Sequence, residues 1–303
     1  MTTPTDRDQL SRFLIERAGV RGVRVHLQDT WQQIRTRAAS LDHEIPAAAA
    51  ELLGEAAAAA ALFTGHAKVD GRLSVQLRGH GALRTLFAEC TAAGTLRGIA
   101  QLADEGTVSR DLREMGPDAM LAITIENPSR DGREPMRYQG LVALESDSLA
   151  GAFEDYFRRS EQLPTRLLLA ADETAAAGLM LQKLPGDAGD DDGWARAGAL
   201  FETLTPQELL DWTDTQLVTR LFHEDGVQLL GSRPLSFACS CSRERVEAML
   251  TSLGAEEAHA ALADGEALVR CEFCGQSYRF SGEQITGLFE TGLEVQPAPE
   301  RTQ

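Results

Sequence analysis

Two rhythms of apolar and polar positions run along this chain, one with a period near two and one near three and a half. Val23–Leu27 reads as a strand, and Asp29-Thr30-Trp31-Gln32 then opens a helix, with a capping-type Asp and a Gln three residues on. Pro46 starts a long Ala/Leu-rich helix that ends near Gly65. Short runs at Leu73–Leu77, Leu83–Glu89, Leu96–Leu102, Met120–Glu126 and Tyr138–Leu144 predict strands. A helix over Leu149–Arg159 and strands at Arg166–Leu169 and Gly178–Leu184 complete the pattern to residue 184. Strands in consecutive runs between a few helices predict a mixed α/β N-terminal domain, and an α+β class for the chain, over regular βαβ winding.

The pattern changes at Leu184-Pro185-Gly186, where turn residues run into acids. Between Asp187 and Asp225 ten acids face two bases, which places a net −8 in a stretch that also holds Trp194 and Trp212. Thr205-Pro206-Gln207-Glu208 carries a Thr cap, Pro at the first helical position and a capping-box Glu. Three short amphipathic helices fit this stretch, and helices so short depend on docking for stability. Beyond Ala238 a third unit is expected. Val246, Met249, Leu250 and Leu253 mark a helix face ended by Gly254, and strands at Leu268–Arg270 and Tyr278–Phe280 flank a turn. Ser281 caps a final helix carrying Ile285, Leu288 and Phe289. The expected division is therefore 1–184 core domain, 185–238 acidic helical linker, 239–295 small C-terminal α+β domain and 296–303 tail.

Composition narrows the function classes. The net charge of −17 argues against a nucleic-acid partner, which would draw on clustered Lys and Arg. Lys68 and Lys183 are the only lysines, and neither follows a glycine, so a phosphate-cradling Gly-Lys-Ser/Thr loop is excluded, and with it ATP use through that motif. The abundant alanine reads as compositional bias. No apolar run looks long enough to span a bilayer, and Met1–Asp8 lacks an export pattern, so a cytoplasmic location is expected. His43-Glu44 and His223-Glu224 do not supply a deaminase ligand motif, and no Gly-x-Ser-x-Gly elbow or His-Glu-x-x-His occurs. No catalytic residue is predicted.

The chemistry lies in the cysteines. Cys239-Ser240-Cys241 and Cys271-Glu272-Phe273-Cys274-Gly275 are separated by twenty-nine residues, and Cys90 stands alone at the end of an apolar strand as a core thiol. Residues two apart on an extended segment point one way, and a Cys-x-x-Cys-Gly loop folds back so that its sulfurs converge. Four thiolates delivered two by two predict a tetrahedral zinc site, one ion per reduced chain. Such a site has no open position for a catalytic water. The same pairs are close enough for Cys239 to close on Cys241, and Cys271 on Cys274, as disulfides. A structural zinc ribbon serving an adaptor or regulator, and an oxidoreductase using Cys271 and Cys274, stand as the competing readings. Against the second, Gln276–Phe280 reads as a return strand, where a thioredoxin-type motif would open a helix.

The cysteine spacing resembles that of heat shock protein 33, the redox-regulated 33 kDa chaperonin family. Val20-Arg21-Gly22, Val75-Gln76-Leu77-Arg78-Gly79, Tyr138-Gln139-Gly140, Tyr156–Thr165, His223-Glu224 and Cys239–Arg245 carry the likeness in order along the chain. One departure is Glu145-Ser146-Asp147, where the family tends to place a glycine before the Asp. The resemblance implies an ATP-independent holdase for unfolding proteins, switched on when oxidants form two disulfides and release zinc. It also implies a linker that senses folding and dimerisation on activation. The expected client-binding residues are Trp194, Trp212 and Phe222, exposed when the linker opens.

Overall fold

The computed structural model describes residues 7–39, 45–129, 136–186, 188–263 and 265–290, and the tail at 296–303 lies outside them. The described chain divides into two compact units that meet in sequence between Ala238 and Cys239.

The larger unit is built from β1 (Gln9–Ile15), β2 (Val20–Leu27), α1 (Asp29–Ala39), α2 (Ala47–His66), β3 (Arg72–Arg78), β4 (Leu83–Thr91) and β5 (Thr95–Leu102). It continues with β6 (Met120–Asn127), β7 (Met136–Val142), α3 (Leu149–Tyr156) with a π-helical turn over Phe157–Glu161, β8 (Thr165–Ala171) and β9 (Ala176–Lys183). Next come helices α4 (Gly193–Phe201), α5 (Pro206–Asp211) and α6 (Asp214–Phe222), and then strands β10 (Val227–Pro234) and β11 (Ser236–Phe237). One antiparallel sheet runs β10-β1-β2-β9-β8, and a six-stranded sheet runs β11-β5-β4-β3-β6-β7, with β11 parallel to β5.

Helix α2 lies between the two sheets and touches both. Ala56 to Ala61 are all fully buried, because only small side chains let a helix sit this close to two sheets at once. At Gly54 an added Cβ would come within 2.5 Å of the Ala171 methyl, so even alanine would be too large there. The alanine run is thus a packing solution, which corrects its reading as bias alone. The reading of apolar length needs the same correction. Ala47–His66 is long and apolar enough to cross a membrane by length and composition, yet 83% of its apolar window is buried inside the protein.

Alternation on the five-stranded sheet serves two cores. Val23, Val25, Leu27 and Met180 face α2, whereas Phe13, Val20, Leu179 and Leu181 face α4–α6. Onto that second face the three helices and the turn between the first two lay Phe201, Leu204, Leu209, Leu217, Leu221 and Phe222. Both Thr205 and Thr213 form full capping boxes, with Glu208 and Gln216. The helical reading of residues 185–238 needs one correction: from Val227 to Phe237 it is strand. β10 pairs with β1 at the sheet edge through a bulge between Arg12 and Phe13. Most of its side chains are exposed, so no buried period marked it in the sequence.

Arg24, on β2, is 1% exposed on the face that receives the helices. Its guanidinium donates to the carbonyl oxygens of Leu209 and Trp212 at the C-terminal end of α5, and it pairs with Asp214 at the start of α6. A cation there meets the negative end of a helix dipole as well as a carboxylate. His26 makes a further bond to the Leu210 carbonyl at 2.9 Å. At the other end, buried Asp225 accepts from Arg196, which also pairs with Asp190 and Asp192. Arg17 donates to the Glu224 carbonyl at 3.1 Å, and Arg166 pairs with Glu202 at 3.2 Å.

Removing one partner of a buried ion pair strands the other, at a cost of about 3 kcal/mol or more. Arg24→Ala is therefore expected to loosen α5 and α6 while leaving the α2 core intact. Hydrogen exchange checks this: faster exchange confined to residues 206–222 is the expected outcome, and uniform loss across β9 and α2 would contradict it.

Candidate metal centre

The smaller unit places its chemistry at the ends of regular elements. α7 (Arg243–Leu253), α8 (Ala255–Ala260), β12 (Glu266–Arg270), β13 (Ser277–Ser281) and α9 (Gly282–Glu290) surround a core of Val246, Leu250, Ala258, Ala267, Phe280 and Ile285. Cys239 and Cys241 lie on the extended segment just before α7, whose N-cap Ser242 accepts from the Arg245 backbone N–H. Arg245 also donates to the Ser240 carbonyl at 3.0 Å, which fixes the Cys-x-Cys segment against the helix start. Cys271 and Cys274 occupy the turn between β12 and β13. The Gly275 N–H donates to the Cys271 carbonyl, the Cys271 N–H donates to Gln276, and Gly275 adopts φ 72°, a left-handed angle suited to glycine. The turn returns into β13 and does not open a helix, so it lacks the thioredoxin arrangement.

All four sulfurs lie within 4.8 Å of one another. A tetrahedral zinc site with Zn–S bonds of about 2.3 Å sets its sulfurs roughly 3.8 Å apart. Cys239 Sγ is 3.6 Å from Cys271 Sγ, and Cys241 Sγ is 3.3 Å from Cys274 Sγ, so the donor set and its spacing fit zinc. Both of these short distances run between the pairs. Proximity within the cluster therefore does not select which disulfides form.

The thiols differ in how readily they ionise. Burial works against ionisation of Cys241, but the Tyr278 hydroxyl donates to its sulfur at 3.1 Å and neighbouring thiols bond to it, so its pKa falls below the ordinary value. Burial raises Cys239, partly offset by the Cys241 N–H. Burial, reinforced by the neighbouring thiols, pushes Cys274 up to about 12 despite the Gln276 N–H. Tyr278, four residues past the Cys-x-x-Cys, is the contributor that spacing alone did not reveal. Its hydroxyl position becomes meaningful only once the hairpin folds.

Elsewhere, Cys90 is buried, and burial pushes its thiol up to about 11, as suits an inert core position. Phe222 is fully buried in the second core of the larger unit. Trp194 and Trp212 are half-buried against the same core, with the Arg220 guanidinium 4.6 Å over the Trp212 ring. The three expected client-binding residues are thus gathered in one covered cluster, away in sequence from the sulfurs.

Residues 8–281 match the family model described as Hsp33 protein. The 33 kDa chaperonin of Nitrosococcus oceani is 42% identical over 285 residues, covering 94% of this chain and 95% of that protein. The 33 kDa chaperonin of Ectopseudomonas mendocina is 40% identical, covering 97% of this chain and 99% of its own length. The crystal structure of the Thermotoga maritima 33 kDa chaperonin superposes with a TM-score of 0.75 at 20% identity, over 95% of this chain, and so shares the fold.

Metal analysis of reduced protein is expected to give one zinc per chain, lost in the Cys271→Ser, Cys274→Ser double variant and retained in Cys90→Ser. A stoichiometry indifferent to the double change would refute the assignment.

Proposed function

The chain belongs to the Hsp33 protein family, and from that premise we propose that it is a redox-regulated, ATP-independent holdase. It would bind unfolding proteins after its four clustered thiols are oxidised. The observation that carries this reading is four sulfurs within 4.8 Å, held by a unit whose own apolar core is small.

When bound, zinc keeps the four sulfurs as thiolates and ties the Cys-x-Cys segment to the hairpin turn, which supplies stability that this core lacks. The residues do the rest. Closing Cys239 on Cys241 and Cys271 on Cys274 removes four electrons from the four thiolates, which two equivalents of a peroxide accept together with four protons from solvent. The ligands are then gone. Disulfides spanning so few residues restrain the unfolded chain least, so they do not restore what is lost. Of the two, Cys271–Cys274 closes the larger ring with less strain and should form first.

Cys239 follows directly on Ala238, which lies just past the end of β11 and whose N–H donates to the Leu96 carbonyl on β5. Loss of order from Cys239 onward therefore begins one residue from the strand that terminates the acidic segment. We assign residues 185–238 as the folding sensor and 239–295 as the redox switch. On opening, the sensor would present Trp194, Trp212 and Phe222 to clients, and its net negative charge keeps the exposed surface from coalescing. A homodimer in the active form, action in the cytoplasm and the absence of catalytic turnover complete the proposal.

Peroxide-treated protein is expected to suppress aggregation of a thermally unfolding test protein, and reduced protein to do so far less. Hydrogen exchange across residues 194–223 should rise on oxidation. Unchanged protection alongside full activity would remove the linker from the switch. Peptide mapping that joined Cys239 or Cys241 mainly to Cys271 or Cys274 would overturn the local pairing.

A further inference from the structure

Beside the four sulfurs stands a side chain that is neither a ligand nor merely filling. Tyr278 lies on β13, paired with Val269 on β12, and its ring packs against the small core that holds Val246, Leu250, Phe280 and Ile285. Its hydroxyl donates to Cys241 Sγ at 3.1 Å. Cys241 belongs to the other half of the cluster, on the extended segment before α7. The bond therefore joins the segment carrying one cysteine pair to the hairpin carrying the other, through protein atoms alone.

Two of the other sulfurs accept backbone donors, Cys239 from the Cys241 N–H and Cys274 from the Gln276 N–H. Those donors come with the local turn of each pair, whatever side chains surround it. The bond to Cys241 depends on one side chain and on a folded hairpin, and a phenylalanine would fill the same space without making it. A hydrogen bond to a thiolate draws on the electron density that would otherwise attack an oxidant. It also fixes the direction in which the sulfur presents itself to a metal.

We infer that Tyr278 is a positioning residue for the metal centre, which holds Cys241 in its ligand orientation and makes that sulfur slow to oxidise. The inference rests on the proposed zinc-bound, redox-switched reading and adds a cause for the order of the two oxidations. In the first, the Cys271 and Cys274 thiolates lose two electrons to one peroxide. An S–S bond forms, the O–O bond breaks, and two protons from solvent complete two waters. The second repeats this balance at Cys239 and Cys241, but Cys241 must first leave the Tyr278 hydroxyl. The Cys-x-Cys pair is thus released only as the hairpin loosens.

The test loads the reduced full chain and its Tyr278→Phe variant with cobalt, which accepts the same tetrahedral sulfur ligands and adds a sulfur-to-metal charge-transfer band. Loss of the donor raises the energy of the sulfur electrons, so the band is expected at longer wavelength in the variant, with one metal per chain retained. A ring that only packs would leave it in place. With zinc, Tyr278→Phe should hold the ion about tenfold more weakly against a competing chelator. Under one equivalent of peroxide it should form Cys239–Cys241 alongside Cys271–Cys274, where the unaltered chain forms the second pair alone, as read by mass spectrometry of thiol-trapped digests. Should the variant fail to take up metal, 3-fluorotyrosine placed at position 278 decides: a stronger donor of nearly the same shape, it should move the band to shorter wavelength. A band unmoved by either change, or an order of disulfides unaltered in Tyr278→Phe, would overturn the inference. Absence of metal from the unaltered chain would overturn it together with the metal centre. Aggregation suppression enters none of these measurements, so failure of the holdase reading is distinguishable from failure of this one.

Discussion

Docking of the three short helices of the acidic segment on one face of the five-stranded sheet is the interaction on which the larger unit depends. Each helix is too short to persist alone, so its order is bought by leucines and Phe222 buried against Phe13, Val20, Leu179 and Leu181. The acids oppose compaction, and the sheet answers with arginines. Arg24 is buried among carbonyl oxygens and Asp214, while Arg17 pairs with Asp190 and Arg166 with Glu202 nearer the surface. Exposed pairs of this kind contribute little. A buried guanidinium is different: with the helices gone it would hydrate, and with the helices present it has no substitute partner. It therefore specifies one docked arrangement more than it adds stability.

The smaller unit meets the opposite problem. Its core is small, and four sulfurs gathered within 4.8 Å repel one another if all ionise. Backbone N–H groups from Cys241 and Gln276 and the Tyr278 hydroxyl lower that penalty at individual sulfurs. A cation at the centre removes the rest. The arrangement is thus well suited to metal and poorly suited to standing as four free thiols, which gives the cluster two chemically distant states with little between.

Sequence period and capping chemistry reported α2, the Thr205 box of α5, and the cysteine turn with its Gly275, because each rests on local rules; the matching Thr213 box of α6 was not singled out. What escaped was non-local. β1 was not singled out, and β10 sits at a sheet edge with most side chains in water, so neither an alternating nor a helical pattern announced it. α8 is one short helix without a capping side chain and left no periodic trace. Arg24 looked like any other arginine of a chain rich in them. Only the register of β2 beside β9, and the helices placed over that face, turn it into a buried partner for residues 185 or more positions away.

These two units are joined in sequence at the point where order is easiest to lose. Ala238 is held by one backbone bond to Leu96, β11 is two residues long, and β10 is an exposed edge strand. Elements with few buried contacts open at low free energy, whatever the stability of the core they border. On the proposed reading, disorder entering at Cys239 would therefore spread first through β11 and β10, and then meet Asp225 and the Arg196 cluster. The α2 core meets that path only at Leu235 and Phe237, and is otherwise closed between two sheets by fully buried alanines. Separation of this kind lets one region unfold reversibly while the other stays a fixed platform, and it places the boundary between them at the buried Arg24 face of the five-stranded sheet.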